Sequence, residues 1–114
     1  VRRAARTDGN HAEVRDGLRA LGLKVFDSSA LGRGFGDLVV SNGAQLLIVE
    51  VKDPAKPPSA RALTPHEQAV ARDFAPHYLV ALRITDVLAA LGLPIDPDPD
   101  PGLPSRVAGR EPRS

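Results

Sequence analysis

The stretch from Gly36 to Lys52, Gly-Asp-Leu-Val-Val-Ser-Asn-Gly-Ala-Gln-Leu-Leu-Ile-Val-Glu-Val-Lys, constrains the fold of this chain more than any other. Leu38-Val39-Val40 and Leu46-Leu47-Ile48-Val49 are aliphatic runs rich in β-branched residues, and Asn42-Gly43 between them is a strong hairpin signal. Strands apolar on both faces sit in the middle of a sheet covered on both sides. Three charged residues break the apolar pattern: Asp37, Glu50 and Lys52. Side chains two apart on a strand share a face, so Glu50 and Lys52 project together. An antiparallel return can bring Asp37 opposite Glu50.

Two carboxylates and an amine beside a dry core are costly, because buried ions lose hydration and like charges repel. A divalent cation held by both carboxylates offsets that cost, and hard oxygen ligands suit Mg²⁺ or Mn²⁺. Glu50 and Lys52 alone also fit a plain ion pair at strand ends that reach solvent. Asp37, at a hairpin-compatible distance, tips the reading towards a metal site.

Around this hairpin the chain reads as α-β-β-β-α-β-α. Asn10 to Leu21 forms the first helix, with Val14, Leu18 and Leu21 on one face and Gly22 ending it. Asn10 and Glu13 have capping-box spacing, which suits Glu13 as a cap of the helix start, while Glu13 also borders the apolar stripe and Gly17, one turn on, leaves room beside it. Lys24-Val25-Phe26 is a short strand. Gly32-Arg33-Gly34-Phe35-Gly36 is a glycine-rich loop; a strand follows it, which excludes a dinucleotide fingerprint. Arg33 there either grips a phosphate or rides a wide turn. Asp53 to Leu63 reads as loop, since Pro54, Pro57 and Pro58 oppose helix and central strand. Thr64 caps a helix with Pro65 at its first position and Glu67 at its third, running to about Ala75. Tyr78 to Leu82 is the last strand, and Thr85 caps a short helix through Leu91.

These residues resemble the D–(D/E)-x-K signature of the PD-(D/E)XK nuclease superfamily: Asp37, a gap of twelve residues, then Glu50-Val51-Lys52. The Asn10-x-x-Glu13 helix, the glycine-rich segment and Leu63-Thr64-Pro65-His66-Glu67 occur in the order found in small stand-alone VRR-NUC and Holliday-junction-resolvase-like nucleases of phages and bacteria. The resemblance spans about Arg6 to Leu91. Gly36 departs from it, standing where those proteins usually have proline. It implies a restriction-endonuclease-like α/β core with a mixed four-stranded sheet flanked by helices. It also implies metal-dependent hydrolysis of DNA phosphodiester bonds, with Asp37, Glu50, Glu13 and the Val51 carbonyl as metal ligands. Lys52 would orient the attacking water or stabilise developing charge; Glu67 or Gln68 would lie near the site, unless Glu67 serves to cap its helix. Arg33, Arg2, Arg3, Arg6, Lys56 and Arg61 are candidate DNA contacts. Few aromatic residues are available to read bases, so backbone recognition of branched or junction DNA fits best, and a symmetric junction favours a homodimer. The competing reading is a non-catalytic nucleic-acid-binding or assembly module on the same fold.

Composition narrows the rest. At 114 residues, 42% hydrophobic and 25% charged, the chain reads as one ordinary globular domain rather than a disordered or membrane protein. It has no cysteine, hence no disulfide or thiolate zinc site, and His11, His66 and His77 lack metal-ligand spacing. The absence of a membrane span and of a secretory signal makes a cytoplasmic location the expectation. Net charge is only +1, but Arg2, Arg3 and Arg6 crowd one end, while Asp96, Asp98 and Asp100 crowd the other. The chain thus divides into a basic arm over 1–9, a nuclease-like domain over 10–93, and a Pro/Asp-rich tail over 94–114.

Overall fold

A computed structural model describes residues 8–93; Arg2, Arg3 and Arg6 of the arm, and the acidic tail, lie outside them. The elements run α1 (His11–Ala20), β1 (Lys24–Asp27), β2 (Leu38–Ser41), β3 (Leu46–Val51), α2 (Pro65–Asp73), β4 (Tyr78–Ala81) and α3 (Ile84–Ala90). The order is the one read from the sequence. Short 3-10 turns at Ser29–Leu31 and Pro58–Arg61 interrupt stretches read as loop. The second accommodates Pro58 because the start of a helical turn needs no N–H from that residue. Helix α3 is not capped by Thr85. The Asp86 carboxylate accepts from the Leu82 and Arg83 N–H groups, at 2.8 and 3.1 Å, and so starts the helix two residues earlier, with Arg83 at the cap position.

The sheet order is β1-β2-β3-β4. The first three strands are antiparallel, with Leu38 opposite Val49 and Val40 opposite Leu47. The fourth runs parallel to β3, with Glu50 beside Val80. A parallel neighbour needs a crossover, and the segment carrying α2 supplies it.

Alternation then sorts the side chains into two faces. On one, Leu38, Val40, Leu47, Val49, Val51 and Ala81 form the core with Val14 and Leu18 of α1 and Val87 and Leu88 of α3. Gly17 contributes by its lack of a side chain: a Cβ there would collide with Ile84 of α3, so the space beside it is filled by packing. On the other face lie Lys24, Phe26, Val39, Ser41, Leu46, Ile48, Glu50, Lys52, Tyr78 and Val80, and α2 packs against its β4 side. Among the described residues no helix is long and apolar enough to cross a membrane.

Candidate metal centre and active site

The antiparallel register, continued one step past Leu38 and Val49, sets Asp37 opposite Glu50. Both carboxylates and Lys52 are buried, at 8%, 7% and 8% exposure. The Lys52 ammonium stands 3.5 Å from a Glu50 oxygen, as strand periodicity requires of residues two apart. The three groups therefore converge at the open end of the hairpin, where β2 begins and β3 ends.

Asp37 is fixed on every side. Its N–H donates to the Val49 carbonyl at 2.8 Å, and its carbonyl accepts from the Ser28 N–H at 2.9 Å. The Ser28 hydroxyl donates to the neighbouring Gly36 carbonyl at 2.9 Å. The Asp37 carboxylate accepts from the Val51 N–H at 2.8 Å, taking the place of a main-chain acceptor where the β2 pairing ends. A strand residue's N–H and C=O point to the same neighbour, so the Val51 carbonyl is turned to the side on which Asp37 stands. The Val51 side chain points the other way, into the core.

Gly36 explains the departure from proline at this position. Its φ is +131°, outside proline's range, and a Cβ would press within 2.5 Å of the Ile48 side chain. The glycine-rich loop closes over the carboxylates. A Cβ on Gly34 would lie 2.6 Å from the Glu67 nitrogen, so the loop rests directly on the first turn of α2. The Phe35 and Phe74 rings meet edge to face at 6.1 Å. Below them is a small cavity of about 110 Å³, bordered by Arg33, Gly34, Asp37, Glu50 and Glu67.

Glu67 is the residue that the sequence left between two roles, and it performs both. One of its carboxylate oxygens accepts from the Thr64 N–H at 2.9 Å, completing a capping box, and from the Lys52 ammonium at 3.1 Å. Glu13 takes part in no cap at the start of α1. It is exposed on α1 and borders a separate pocket with Asn10, Pro54 and Arg83. Its partner in the expected capping box, Asn10, makes no cap bond; its side-chain amide instead donates to the Lys52 and Leu82 carbonyls, at 3.1 and 3.0 Å. Asn10 thereby pins the start of α1 to the ends of β3 and β4, a long-range contact that its cap-like spacing masks.

Electrostatics follow from crowding. Burial, then the charge of Asp37 and the neighbouring Glu67, push the Glu50 carboxyl up to about 9. Burial also raises Asp37, against the Val51 N–H bond that favours its charged form. Burial works to lower Lys52 as well, but its bond to Glu67 and the charge of Glu50 outweigh this and hold it above its ordinary value. Glu67 is held low despite burial by the Thr64 N–H and by its bonds to Glu50 and Lys52. Burial and crowding thus favour added positive charge beside Glu50. A hard divalent cation could supply it, with Asp37, Glu50 and the Val51 carbonyl as its ligands. Among the described residues no three histidine, aspartate or glutamate side chains are placed to cage a metal. Two carboxylates, with water and phosphate oxygens completing the shell, suit Mg²⁺ better than a cage would.

The remaining candidates are scattered. Arg33 is exposed at the cavity, with φ +57°. Lys56 is paired to Asp8 at 3.1 Å, and Arg61 borders a groove along β4 with Leu79 and Val80. No spacing in the sequence announces a further cluster, centred on Asp27. His11 meets Asp27 at 3.0 Å, and Asp27 also takes Arg15 at 2.9 Å and the Ser29 hydroxyl at 2.6 Å.

Among solved structures, a VRR_NUC domain superposes with a TM-score of 0.52 at 25% sequence identity, over 76% of this chain and 97% of that one. No family model and no curated protein matches the chain. The fold is that of a VRR-NUC nuclease-like domain: a four-stranded mixed sheet flanked by helices, of the restriction-endonuclease-like kind.

Proposed function

We propose that this protein is a divalent-metal-dependent DNA endonuclease, selective for branched or junction structures. The observation that carries the reading is the convergence of Asp37, Glu50 and Lys52 at one hairpin end, in a fold shared with a VRR_NUC domain. Asp37, Glu50 and the Val51 carbonyl would hold Mg²⁺ or Mn²⁺. Such an ion, when bound, supplies Lewis-acid activation of a phosphate oxygen and of a water.

The chain's own groups do the rest. Asp37 is held by four hydrogen bonds at itself and Gly36, so its carboxylate needs no reorganisation on binding. Lys52 carries its proton, so it stabilises developing charge or orients the nucleophile rather than acting as a base. Glu67 orients Lys52. Arg33, which borders the cavity, would take a phosphate. A homodimer would set two such sites on opposed strands of a symmetric junction.

The test is cleavage of junction, flap and linear duplex DNA with Mg²⁺ or Mn²⁺. Glu50→Ala and Lys52→Ala should each lower the rate on the order of 100- to 1000-fold while the fold persists. Full activity in both variants removes the assignment. The competing reading, a non-catalytic binding module, draws on the fact that among the described residues no three histidine, aspartate or glutamate side chains are grouped to hold a metal. A module of that kind would ignore EDTA and show only salt-dependent affinity.

A further inference from the structure

The sheet face that carries Glu50 is only half covered. Helix α2 packs against β4, while α1 and α3 lie on the opposite face. Over β1, β2 and the start of β3, no helix among the described residues covers it. Lys24, Phe26, Val39, Ser41 and Leu46 share this open half by register: Lys24 pairs with Ser41, Ser41 with Leu46, and Phe26 with Val39. Phe26 is 64% exposed and Leu46 50%. Aromatic rings are few in this chain, yet one stands open on the same face as Glu50. The Phe26–Val39 rung lies next to the Asp37–Glu50 rung, about 6.7 Å along the strands.

We propose that this open half-sheet seats an unpaired stretch of the nucleic-acid substrate, with a base stacked on Phe26 and the backbone leading on to the carboxylates. Three features select that occupant. A flat apolar platform with an aromatic ring and a flanking cation is the chemistry that binds single strands without regard to sequence. The five positions carry one cation, Lys24, and no carboxylate, which suits a polyanion. The platform also shares its sheet face with Asp37 and Glu50 and lies beside their rung in the register. A second copy of the chain fits less well: three partly exposed apolar side chains fall far short of the roughly 20–30 residues a side of a stable interface. The substrate class therefore narrows from branched DNA in general to DNA with unpaired nucleotides beside the cut. The nucleic acid is taken from the proposed function, but the test reads binding and not cleavage.

The chain has no tryptophan, so Phe26→Trp introduces a single fluorophore at the platform. Titration with a twelve-residue oligo(dT) in EDTA should quench its emission saturably. In anisotropy, Phe26→Ala should bind the oligonucleotide about 5- to 150-fold more weakly, the equivalent of about 1–3 kcal/mol of stacking, and Phe26→Tyr should bind as the wild type does. An absent quench, or equal affinity in Phe26→Ala, overturns the proposal. So does conversion of a dimer to a monomer by Phe26→Ala, which would give the face to a second copy. Quenching by a protein that cleaves nothing would keep the platform and discard the nuclease. Cleavage without quenching would do the reverse.

Discussion

Glu67 shows how one carboxylate can tie local structure to chemistry. The same oxygen that caps α2 holds Lys52, fifteen residues away. Glu67→Gln keeps an oxygen for the Thr64 N–H but removes the charge opposite Lys52. Its melting temperature should stay within a few degrees of wild type while cleavage falls at least 10-fold. Glu67→Ala should in addition lose roughly 1 kcal/mol of stability with the cap. Equal activity in Glu67→Gln would show that Lys52 needs no partner. Glu50 makes a prediction through pH. Its folded carboxyl titrates near 9, against 4.5 ordinarily, so between those values the folded state keeps a proton that the unfolded chain has released. The contribution is complete below about 4.5 and is lost as the pH rises towards 9. The metal-free protein should therefore melt lower at pH 8.5 than at pH 6. Glu50→Gln should flatten that slope and gain on the order of 2 kcal/mol at the higher pH, read by thermal denaturation. An unchanged slope would place the proton elsewhere. Asp37, Glu50 and Lys52 were legible in the sequence because a hairpin and a two-residue period fix them locally. Glu67's contact with Lys52 depends on the path of residues 53–63, and Asn10's bonds join residues 42 and 72 apart. No periodicity encodes such distances.

The glycine-rich loop is the element on which access to the carboxylates turns. It lies against α2 by backbone at Gly34 and by the Phe35–Phe74 contact. Gly34 has φ +72° as well as no room for a side chain. Gly34→Ala should destabilise the fold by about 1–3 kcal/mol and displace Glu67, lowering activity with it; denaturant titration beside a rate measurement checks both. Wild-type stability in that variant would mean that the loop does not rest on α2. The strands and helices were legible from apolar spacing, and α2 from its Thr64–Glu67 cap. The two 3-10 turns were not, being single turns without a period of their own. Helix α3 was misplaced at its start because Asp86, reaching back from inside the helix, supplies the cap expected of Thr85. The cap expected of Asn10 and Glu13 is absent because the Asn10 side chain is drawn away to the ends of β3 and β4.

Taken whole, the molecule divides its labour across the sheet. One face is a closed core of α1, α3 and aliphatic strand residues; the other holds the charged cluster, a loop closed over it and an open platform beside it. The compact body offers little surface to grip a four-way junction, so the full chain should sediment as a dimer and make paired cuts. A monomer that still resolves junctions by paired cuts would overturn that assembly. Everything about the reaction rests on whether the buried carboxylates exchange their proton for a cation. Calorimetric titration of Mn²⁺ into the wild-type protein at pH 7.5, with Glu50→Gln beside it, decides this. Saturable Mn²⁺ uptake with proton release in the wild type, lost in Glu50→Gln, is the predicted result. No uptake by the wild type, with or without DNA, would contradict it.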